Sequence, residues 1–291
     1  MKALGRLLVR TMLLLAVAGC GGGSSADGAS PAVIATAPFK PFPQHVGYTA
    51  GTIKPDHVSQ ARLDAASAAF YDEWKKKYLL DDCGADRIYV RVGDAAGGGT
   101  ADETISVSEG HGYGMMITAL MAGHDPDARK YFDGLFRFFK DHPSASSPNL
   151  MAWNQVKGCA NSSRPGADGT ATDGDLDIAH ALLLADRQWG SDGAINYLQE
   201  ARSVVAAIKK FEINPTTFGV LLGDWAAPSQ PQYHYGTRTS DFVADHFRAY
   251  QALTQDGDWA RVIDQLYAVV RTIQANDSPN TGLMPDFVVA T

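Results

Sequence analysis

The sequence predicts an all-α fold, an array of helices joined as antiparallel hairpins. From about residue 57 onward, apolar residues recur three or four positions apart, which is the spacing of one helix face rather than of a strand. Short turns join helices 2 to 3, 4 to 5 and 6 to 7, as antiparallel neighbours require, at 123–126, 190–193 and 256–258. Longer loops rich in Gly, Pro and Ser precede helices 2, 4 and 6, at about 80–107, 142–172 and 212–239.

Apolar stripes mark seven predicted helices. In chain order they are Phe70, Trp74 and Tyr78; Tyr113, Met116, Ile117 and Leu120; Phe132, Leu135, Phe136 and Phe139; Ile178, Ala181, Leu182, Ala185 and Trp189; Leu198, Ala201, Val205 and Ile208; Val243, Phe247 and Tyr250; and Trp259, Val262, Ile263, Leu266, Val270 and Ile273. Each stripe follows the i, i+3, i+4, i+7 spacing or comes close to it, so each predicts an amphipathic helix that buries these residues.

The even-numbered predicted helices all begin on one rim, because alternate helices of an up-and-down array run parallel. Each of their first turns carries an acid, namely Glu109, Asp173 and Asp241. Acidic residues are favoured in the first turn of any helix, so plain helix electrostatics is the alternative explanation. Asp241 is also explained as a helix cap after Ser240. The same arrangement at three parallel helices beside long loops favours a shared site on this rim.

Composition limits the classes of partner. The chain has 291 residues, 45% of them hydrophobic, which is enough for one large domain, although two smaller ones are not excluded. The net charge of −7 argues against general affinity for nucleic acid or anionic lipid, because both need clustered Lys and Arg. We expect a monomer that binds a neutral or cationic ligand.

The N-terminus reads as a targeting segment. Basic residues precede the short apolar run Met12–Ala18, and the run ends in Val-Ala-Gly-Cys at 17–20, which resembles the lipobox of bacterial lipoproteins. We expect a signal peptide at 1–19, lipid on Cys20, and a flexible tether at 20–45 that anchors the protein in the bacterial cell envelope, at the outer membrane or in the periplasm. The alternative is an ordinary signal peptide with cleavage nearby.

The other two cysteines are Cys83 and Cys159. In an oxidising compartment they form either a disulfide or two free thiols, and the sequence leaves both possibilities open. The eight His are scattered, and none pairs with a Cys at zinc-ligand spacing, so we expect no metal and no cofactor.

Three segments resemble glycoside hydrolase family 8. Ala-Thr-Asp-Gly-Asp-Leu-Asp-Ile-Ala at 171–179, continuing to Trp189, is similar to the family signature. Val-Ser-Glu-Gly-His-Gly-Tyr-Gly-Met-Met at 107–116 is similar to the family's acid-bearing segment, and Asn-Leu-Met-Ala-Trp at 149–153 resembles a loop whose Trp packs on sugar. The resemblance spans roughly residues 46–291 and implies an (α/α)6 toroid that hydrolyses β-1,4-linked polysaccharide, most commonly β-1,4-glucan, with inversion of configuration.

The resemblance also implies roles for individual residues. Glu109 corresponds to the general acid, and Trp153 corresponds to the residue that stacks on a sugar ring. Asp173 corresponds to a carboxylate that holds the sugar and steadies the water, a residue also described as a nucleophile.

Physical chemistry adds a constraint on the acid. A helix N-terminus lowers a carboxyl pKa, which is the wrong direction for a general acid at neutral pH. Burial between Tyr113 and cleft aromatics, or the charge of Asp173, would raise the pKa of Glu109.

Further candidates lie in the third long loop. Tyr235 is either a sugar platform or a core-capping aromatic, and Arg238 beside Asp241 forms either a cleft-shaping ion pair or a simple structural salt bridge.

Two departures from the family pattern affect the expected activity. A complete (α/α)6 ring needs more helices than the seven stripes provide, so we expect a chain truncated at its C-terminus, with an open ring as the alternative. The family's catalytic base lies in an Ala-x-Arg-x-Pro-Trp-Arg segment that this sequence does not contain. Asp241 or Asp245 could activate water, although no motif supports either. The alternatives are a non-catalytic glycan-binding lipoprotein and a hydrolase specific for chitosan or xylan.

Overall fold

A computed structural model describes residues 37–45, 47, 49–53, 55–92 and 104–289. Its helices are α1 (Gln60–Tyr78), α2 (Ser108–Leu120), α3 (Ala128–Asp141), α4 (Thr172–Trp189), α5 (Tyr197–Phe211), α6 (Pro231–His234), α7 (Ala244–Thr254) and α8 (Asp258–Asn276), with a 3-10 turn at Thr239–Asp241. Its short strands are β1 (Leu79–Leu80), β2 (Tyr89–Val90), β3 (Thr104–Val107), β4 (Asn154–Val156), β5 (Ala160–Asn161), β6 (Thr237–Arg238) and β7 (Phe287–Val288). The predicted all-α class is confirmed.

All seven predicted helices are present. The structure adds α6, a four-residue helix with Pro231 in its first position, which is too short to give an apolar period. The strands lie mainly in the long loops and pair antiparallel in the orders β1–β2, β3–β4–β5 and β6–β7. These small sheets hold the long loops against the ends of the helices.

Helices α2 and α4 run parallel and touch through glycines. A Cβ atom at Gly174 would lie 2.6 Å from the carbonyl carbon of Ser108, and a Cβ atom at Gly112 would lie 2.7 Å from the Cβ atom of Asp177. Both contacts advance along the two helices in the same direction, so the N-termini of α2 and α4 lie side by side. The predicted common rim is confirmed for these two helices.

The core lies between α2, α3, α4, α5, α7 and α8. The α3 stripe is buried as predicted, and its residues are Phe132, Leu135, Phe136 and Phe139. The stripes on α1 and α2 were partly wrong, because Phe70 is 74% exposed and Leu120 is 54% exposed. On α1 the buried residue is Tyr71, whose hydroxyl donates to Asp125, and on α2 the buried residues include Met115, which lies on the glycine-rich face.

Residues 37–45, predicted as part of the flexible tether, lie against the helical domain instead. The backbone N–H of Phe39 donates to the Gln188 carbonyl at 2.8 Å, and that of Phe42 donates to the Ala122 carbonyl at 2.6 Å. The predicted signal peptide, Cys20 and most of the tether fall outside the described residues. Among the helices that the structure describes, none is both long enough and apolar enough to cross a membrane.

The structure joins Cys83 and Cys159 in a disulfide, with 5.5 Å between their Cα atoms. Cys83 lies in the turn between β1 and β2, and Cys159 lies in the turn between β4 and β5. The bond therefore ties the loop before α2 to the loop before α4. Both loops lie on the rim where these helices begin.

Candidate active site

Glu109 and Asp173 lie on neighbouring first turns, because Ser108 packs directly against Gly174. The hydroxyl of Tyr113, one helical turn after Glu109, donates to Glu109 Oε1 at 3.1 Å. Tyr113 is 46% exposed, so it extends from the helix face and does not fill the core as its apolar stripe predicted. The structure thus brings together three of the residues predicted for the site.

Asp173 is buried beside groups that shift its pKa in opposite directions. Burial raises its pKa first, and the negative charge of Glu109 raises it further. The N–H of Gly174, which donates to Asp173 Oδ1 at 2.8 Å, and the charge of Arg238 both lower the pKa, but the balance remains upward. Glu109 is therefore close enough for its charge to disfavour the ionised form of Asp173.

Arg238 connects Asp173 to the last strand. Its Nη1 lies 3.3 Å from Asp173 Oδ2, and its Nε lies 3.3 Å from Asp286 Oδ1. The pairing of β6 with β7 places Arg238 opposite Phe287, and the guanidinium lies 5.3 Å from the centre of that ring. Arg238 thus forms ion pairs with Asp173 and Asp286. The predicted partner Asp241 acts on Arg238 only through its nearby negative charge, without a direct ion pair between the two side chains.

Asp241 lies in the 3-10 turn that leads into α7 and is only 2% exposed. Burial, followed by the charge of Asp173, raises the pKa of Asp241 to about 7. The hydroxyl of Ser240 donates to Asp241 Oδ1 at 3.1 Å. Asp245 behaves differently, because its side chain is 90% exposed and pairs with Arg248. Of the two, only Asp241 belongs to the carboxylate cluster.

Trp153 is fixed beside the first turn of α2. The antiparallel pairing of β3 with β4 sets Val107 opposite Asn154, so the adjacent residues Ser108 and Trp153 meet. The Ser108 N–H donates to the Trp153 carbonyl at 3.0 Å, and the Trp153 N–H donates to the Gly169 carbonyl at 2.9 Å. The indole Nε1 donates to the Gly166 carbonyl at 3.1 Å, so the half-buried ring is held in one orientation.

Tyr235 lies in a different environment. It lines a cavity of about 250 Å³ together with Asn214, His234, Gln265 and Val288, and neither Glu109 nor Asp173 contributes to that lining. Its ring packs against His234 with centroids 5.0 Å apart. The structure therefore does not bring Tyr235 to the carboxylate cluster.

Trp225 and Tyr233 are not among the site residues predicted from the sequence. Their side chains are 40% and 41% exposed, and their rings meet edge to face with centroids 5.4 Å apart. The indole of Trp225 donates to the carbonyl of Thr170 at 3.1 Å, which fixes it near the start of α4. The sequence contains a signal for Trp225 as a sugar-binding aromatic, because this Trp lies in a Gly/Pro-rich loop before a predicted helix, as Trp153 does.

Among the described residues, no three His, Cys, Asp or Glu side chains are grouped so as to hold a metal ion. At one end of the parallel pair α2 and α4, the site combines neighbouring carboxyl groups, the guanidinium of Arg238 and two fixed indole rings. Such a combination suits a polyhydroxylated ligand with flat apolar faces.

Comparison with known proteins agrees with this reading. Residues 53–291 match the family described as glycosyl hydrolases family 8. A beta-glucanase of Niallia circulans is 47% identical over 87% of this chain and 58% of its own length. An endoglucanase of Bacillus sp. (strain KSM-330) is 44% identical over 86% of this chain and 53% of its own length. The chain thus spans little more than half the length of these relatives.

A solved structure is also similar. The apo structure of a beta-1,3-1,4-glucanase from Paenibacillus sp. X4 is 45% identical, has a TM-score of 0.81, and is matched over 88% of this chain and 64% of that one. The described helices follow the arrangement of the family's (α/α)6 toroids, so this part of the fold prediction is confirmed.

Proposed function

This chain belongs to glycoside hydrolase family 8, and from that premise we propose that it hydrolyses β-1,4 linkages within a β-glucan, with inversion at the anomeric carbon. The observation that carries the proposal is the position of Glu109. It lies beside Asp173, accepts a hydrogen bond from Tyr113, and begins a helix whose first N–H is bound by Trp153.

In this proposal Glu109 is the general acid. Cleavage of a glycosidic bond needs a proton on the departing oxygen, and a carboxylic acid within hydrogen-bonding reach supplies it. The Tyr113 hydroxyl binds Glu109 Oε1, which leaves Oε2 free to carry the proton toward the substrate.

Asp173 and Trp153 hold the sugar at the cleavage point. Asp173 Oδ2 faces Arg238 at 3.3 Å, so a sugar hydroxyl that reaches Asp173 would meet both a carboxylate and a guanidinium. The fixed indole of Trp153 offers a flat surface for the apolar face of a pyranose ring. Trp225 offers a second such surface near the start of α4.

Inverting cleavage also needs an ionised carboxylate that activates water, with the two carboxyl groups roughly 6.5–9.5 Å apart. We do not assign that base to Asp241, because the residue is only 2% exposed, which leaves its carboxyl little access to the water that it would activate. Glycan binding without hydrolysis is the second candidate function, favoured by the fixed indoles of Trp153 and Trp225, which offer surfaces for sugar rings without taking part in the chemistry.

The substrate proposal is a glucan with β-1,4 linkages, either cellulose-type or mixed-linkage. The similar proteins carry the names beta-glucanase, endoglucanase and beta-1,3-1,4-glucanase, and these names support glucan ahead of chitosan or xylan. Since the relative with a solved structure at 45% identity is named for mixed-linkage glucan, that polymer is the first to test.

The test compares the full chain with Glu109→Gln on mixed-linkage β-glucan, carboxymethylcellulose, chitosan and xylan. Release of reducing ends and binding to the same polymers are measured together. Loss of the general acid should lower release about 10²-fold to 10⁴-fold while binding is retained. Glu200→Gln is the matched control, because Glu200 lies on α5 and pairs with Lys140. Undiminished release by Glu109→Gln would remove Glu109 from its role, and binding without release by the unaltered chain would select the second candidate.

We also propose that the protein is a lipoprotein of the bacterial cell envelope, anchored through Cys20. The motif at 17–20 supports this, and the Cys83–Cys159 disulfide supports export to an oxidising compartment. Expression of Cys20→Ala beside the unaltered chain tests it. The substitution should move the protein from the membrane fraction to the soluble fraction, and an unchanged distribution would contradict the anchor.

A further inference from the structure

Two acidic side chains lie buried beneath the site. Asp175 belongs to the first turn of α4, two residues after Asp173, and Glu212 directly follows the end of α5. Both residues are 0% exposed. Charged groups are almost never buried to this extent without a partner, so each carboxyl oxygen should have a hydrogen-bond donor or a proton.

One oxygen of each acid holds a different loop. The backbone N–H of Met151 donates to Asp175 Oδ1 at 2.8 Å. The hydroxyl of Thr170 donates to Glu212 Oε1 at 2.5 Å and accepts the N–H of Asp224 at 2.9 Å. The pair therefore binds the loop before β4, the segment before α4 and the loop after α5.

The other oxygen of each acid has no donor while both groups are ionised. These atoms, Asp175 Oδ2 and Glu212 Oε2, are buried and otherwise unpartnered, and the two carboxyl groups lie within hydrogen-bonding reach of each other. An ionised carboxylate only accepts hydrogen bonds, so two of them cannot bind each other. A single proton between the two groups would satisfy both oxygens and halve the buried charge.

The surrounding charges favour that proton. The ionisable groups that bear on the pair from the packed elements are Asp224 in the loop after α5, Asp173 on α4 and Tyr250 on α7. Burial, and then the charge of Glu212, raises the pKa of Asp175. Burial and the charges of Asp224 and Asp173 raise the pKa of Glu212 to about 8, against hydrogen bonds from Thr170 and Asp175 that lower it.

We propose that Asp175 and Glu212 share one proton, and that this pair is the positioning element that fixes Trp153, Asp173 and Trp225 relative to one another. Met151 lies two residues before Trp153, Thr170 lies three residues before Asp173, and Asp224 directly precedes Trp225. The two hydrogen bonds of the pair, and the Asp224–Thr170 bond that continues from one of them, thus end within three residues of the three site residues. Neither acid touches the substrate.

Loss of the shared proton leaves two adjacent anions in a buried place, and their repulsion separates the segments that they hold. Glycan affinity then falls as pH rises above about 8, by about tenfold per pH unit for one proton. This consequence rests on the proposed function, whereas the shared proton does not.

The first experiment does not use glycan. Infrared spectra of the full chain at pH 6, with Asp241→Asn introduced into every protein compared so that the Asp241 carboxyl does not contribute, should contain a C=O stretching component of a protonated carboxyl group that is absent from Glu212→Gln and from Asp175→Asn. The component should persist in Glu200→Gln and disappear from the unaltered chain as pH rises through about 8. The protection factor of the Met151 amide, which is corrected for the intrinsic rise of exchange with pH, should fall over the same pH interval in the unaltered chain and stay constant in Glu212→Gln. A component that is missing from the unaltered chain, or that survives in Glu212→Gln, would overturn the shared proton.

The second experiment measures binding of cellohexaose from pH 6 to pH 10. A Gln at position 212 keeps an acceptor for Thr170 and gains an amide donor for Asp175, so it imitates the protonated pair at every pH. The Glu212→Gln variant should keep the affinity measured at pH 6 and lose the alkaline decline, whereas Glu200→Gln should retain the decline. An equal decline in Glu212→Gln would overturn the positioning role. Absence of binding at every pH with the infrared component present would reject the proposed function and the positioning role, but not the shared proton.

Discussion

Arg238 Nη1 lies 3.3 Å from Asp173 Oδ2, and the other side of the same guanidinium is occupied by Asp286 at 3.3 Å. One cation therefore serves a carboxylate of the site and a carboxylate just before the last strand. Burial and the charge of Glu109 raise the pKa of Asp173, and Arg238 opposes that rise together with the N–H of Gly174.

Replacement of Arg238 by Gln should raise the pKa of Asp173, since the positive charge that lowers it is gone. The acidic limb of glycan binding should move to higher pH, and affinity at pH 5 should fall about tenfold, the size expected for a lost hydrogen bond to a charged group. Titration of glycan binding from pH 4 to pH 8 measures this shift. Arg248→Gln is the control, because Arg248 pairs with the exposed Asp245. An acidic limb that stays in place would show that Arg238 does not act on Asp173.

Gly174→Ala should destabilise the protein by about 1–3 kcal/mol, as overpacking of a close contact does. The new methyl group would lie 2.6 Å from the Cβ atom of Ser108, so α2 and α4 would have to separate. Urea unfolding gives the change in free energy of unfolding. The matched substitution is Gly110→Ala on the same helix pair, where the nearest atom to a Cβ is 3.8 Å away. Equal stability of the two variants would contradict backbone contact at Gly174.

Asp241→Asn should change how stability depends on pH. The unfolded state loses the Asp241 proton near pH 4 while the folded state keeps it to about pH 7, so this group lowers the free energy of unfolding as pH rises between those values. The variant should therefore gain stability relative to the unaltered chain across this interval, by up to about 4 kcal/mol.

Urea unfolding at pH 5, 6 and 8 measures this difference. Asp256→Asn is a suitable comparison, because Lys209 lowers the pKa of Asp256 and the substitution should shift stability by the same amount at all three pH values. A pH-independent difference for Asp241→Asn would show that Asp241 is not held protonated.

Removal of the disulfide in Cys83→Ser with Cys159→Ser should lower the free energy of unfolding by about 2–5 kcal/mol, since the bond closes a loop across 76 residues. Thermal unfolding with and without a reducing agent measures this loss. The reducing agent should lower the Tm of the unaltered chain and leave that of the double variant unchanged. A similar Tm for both proteins under oxidising conditions would mean that the cysteines are free in solution.

The sequence predicted the helices well where one face is uniformly apolar. On α3 the period-3.6 stripe and the buried residues coincide, because large side chains pack on one side and charges occupy the other. On α2 the tightest contacts are made by glycines, so the apolar period placed Tyr113 and Leu120 in the core although both are exposed. Hydrophobic periodicity cannot detect a face that is buried by backbone contact.

The sequence predicted those site residues that lie in the first turn of a helix. Glu109 and Asp173 lie together because parallel helices with a common rim align their first turns. Trp225 and the buried partner of Asp175, Glu212, were not predicted, because their positions depend on how loops far apart in sequence fold against each other. Tyr235 shows the same limit, since its loop carries it into another cavity.

The glycine contact between α2 and α4 also determines where this scaffold tolerates redesign. Gly112 and Gly174 leave no space for a side chain, so random substitution there removes folded protein from a library before specificity can be screened. The loops at 142–171 and 212–239 carry Trp153 and Trp225, whose indoles are fixed near the first turns of α2 and α4. Directed evolution toward a different polysaccharide should therefore randomise residues in those two loops and leave the contact between α2 and α4 unchanged.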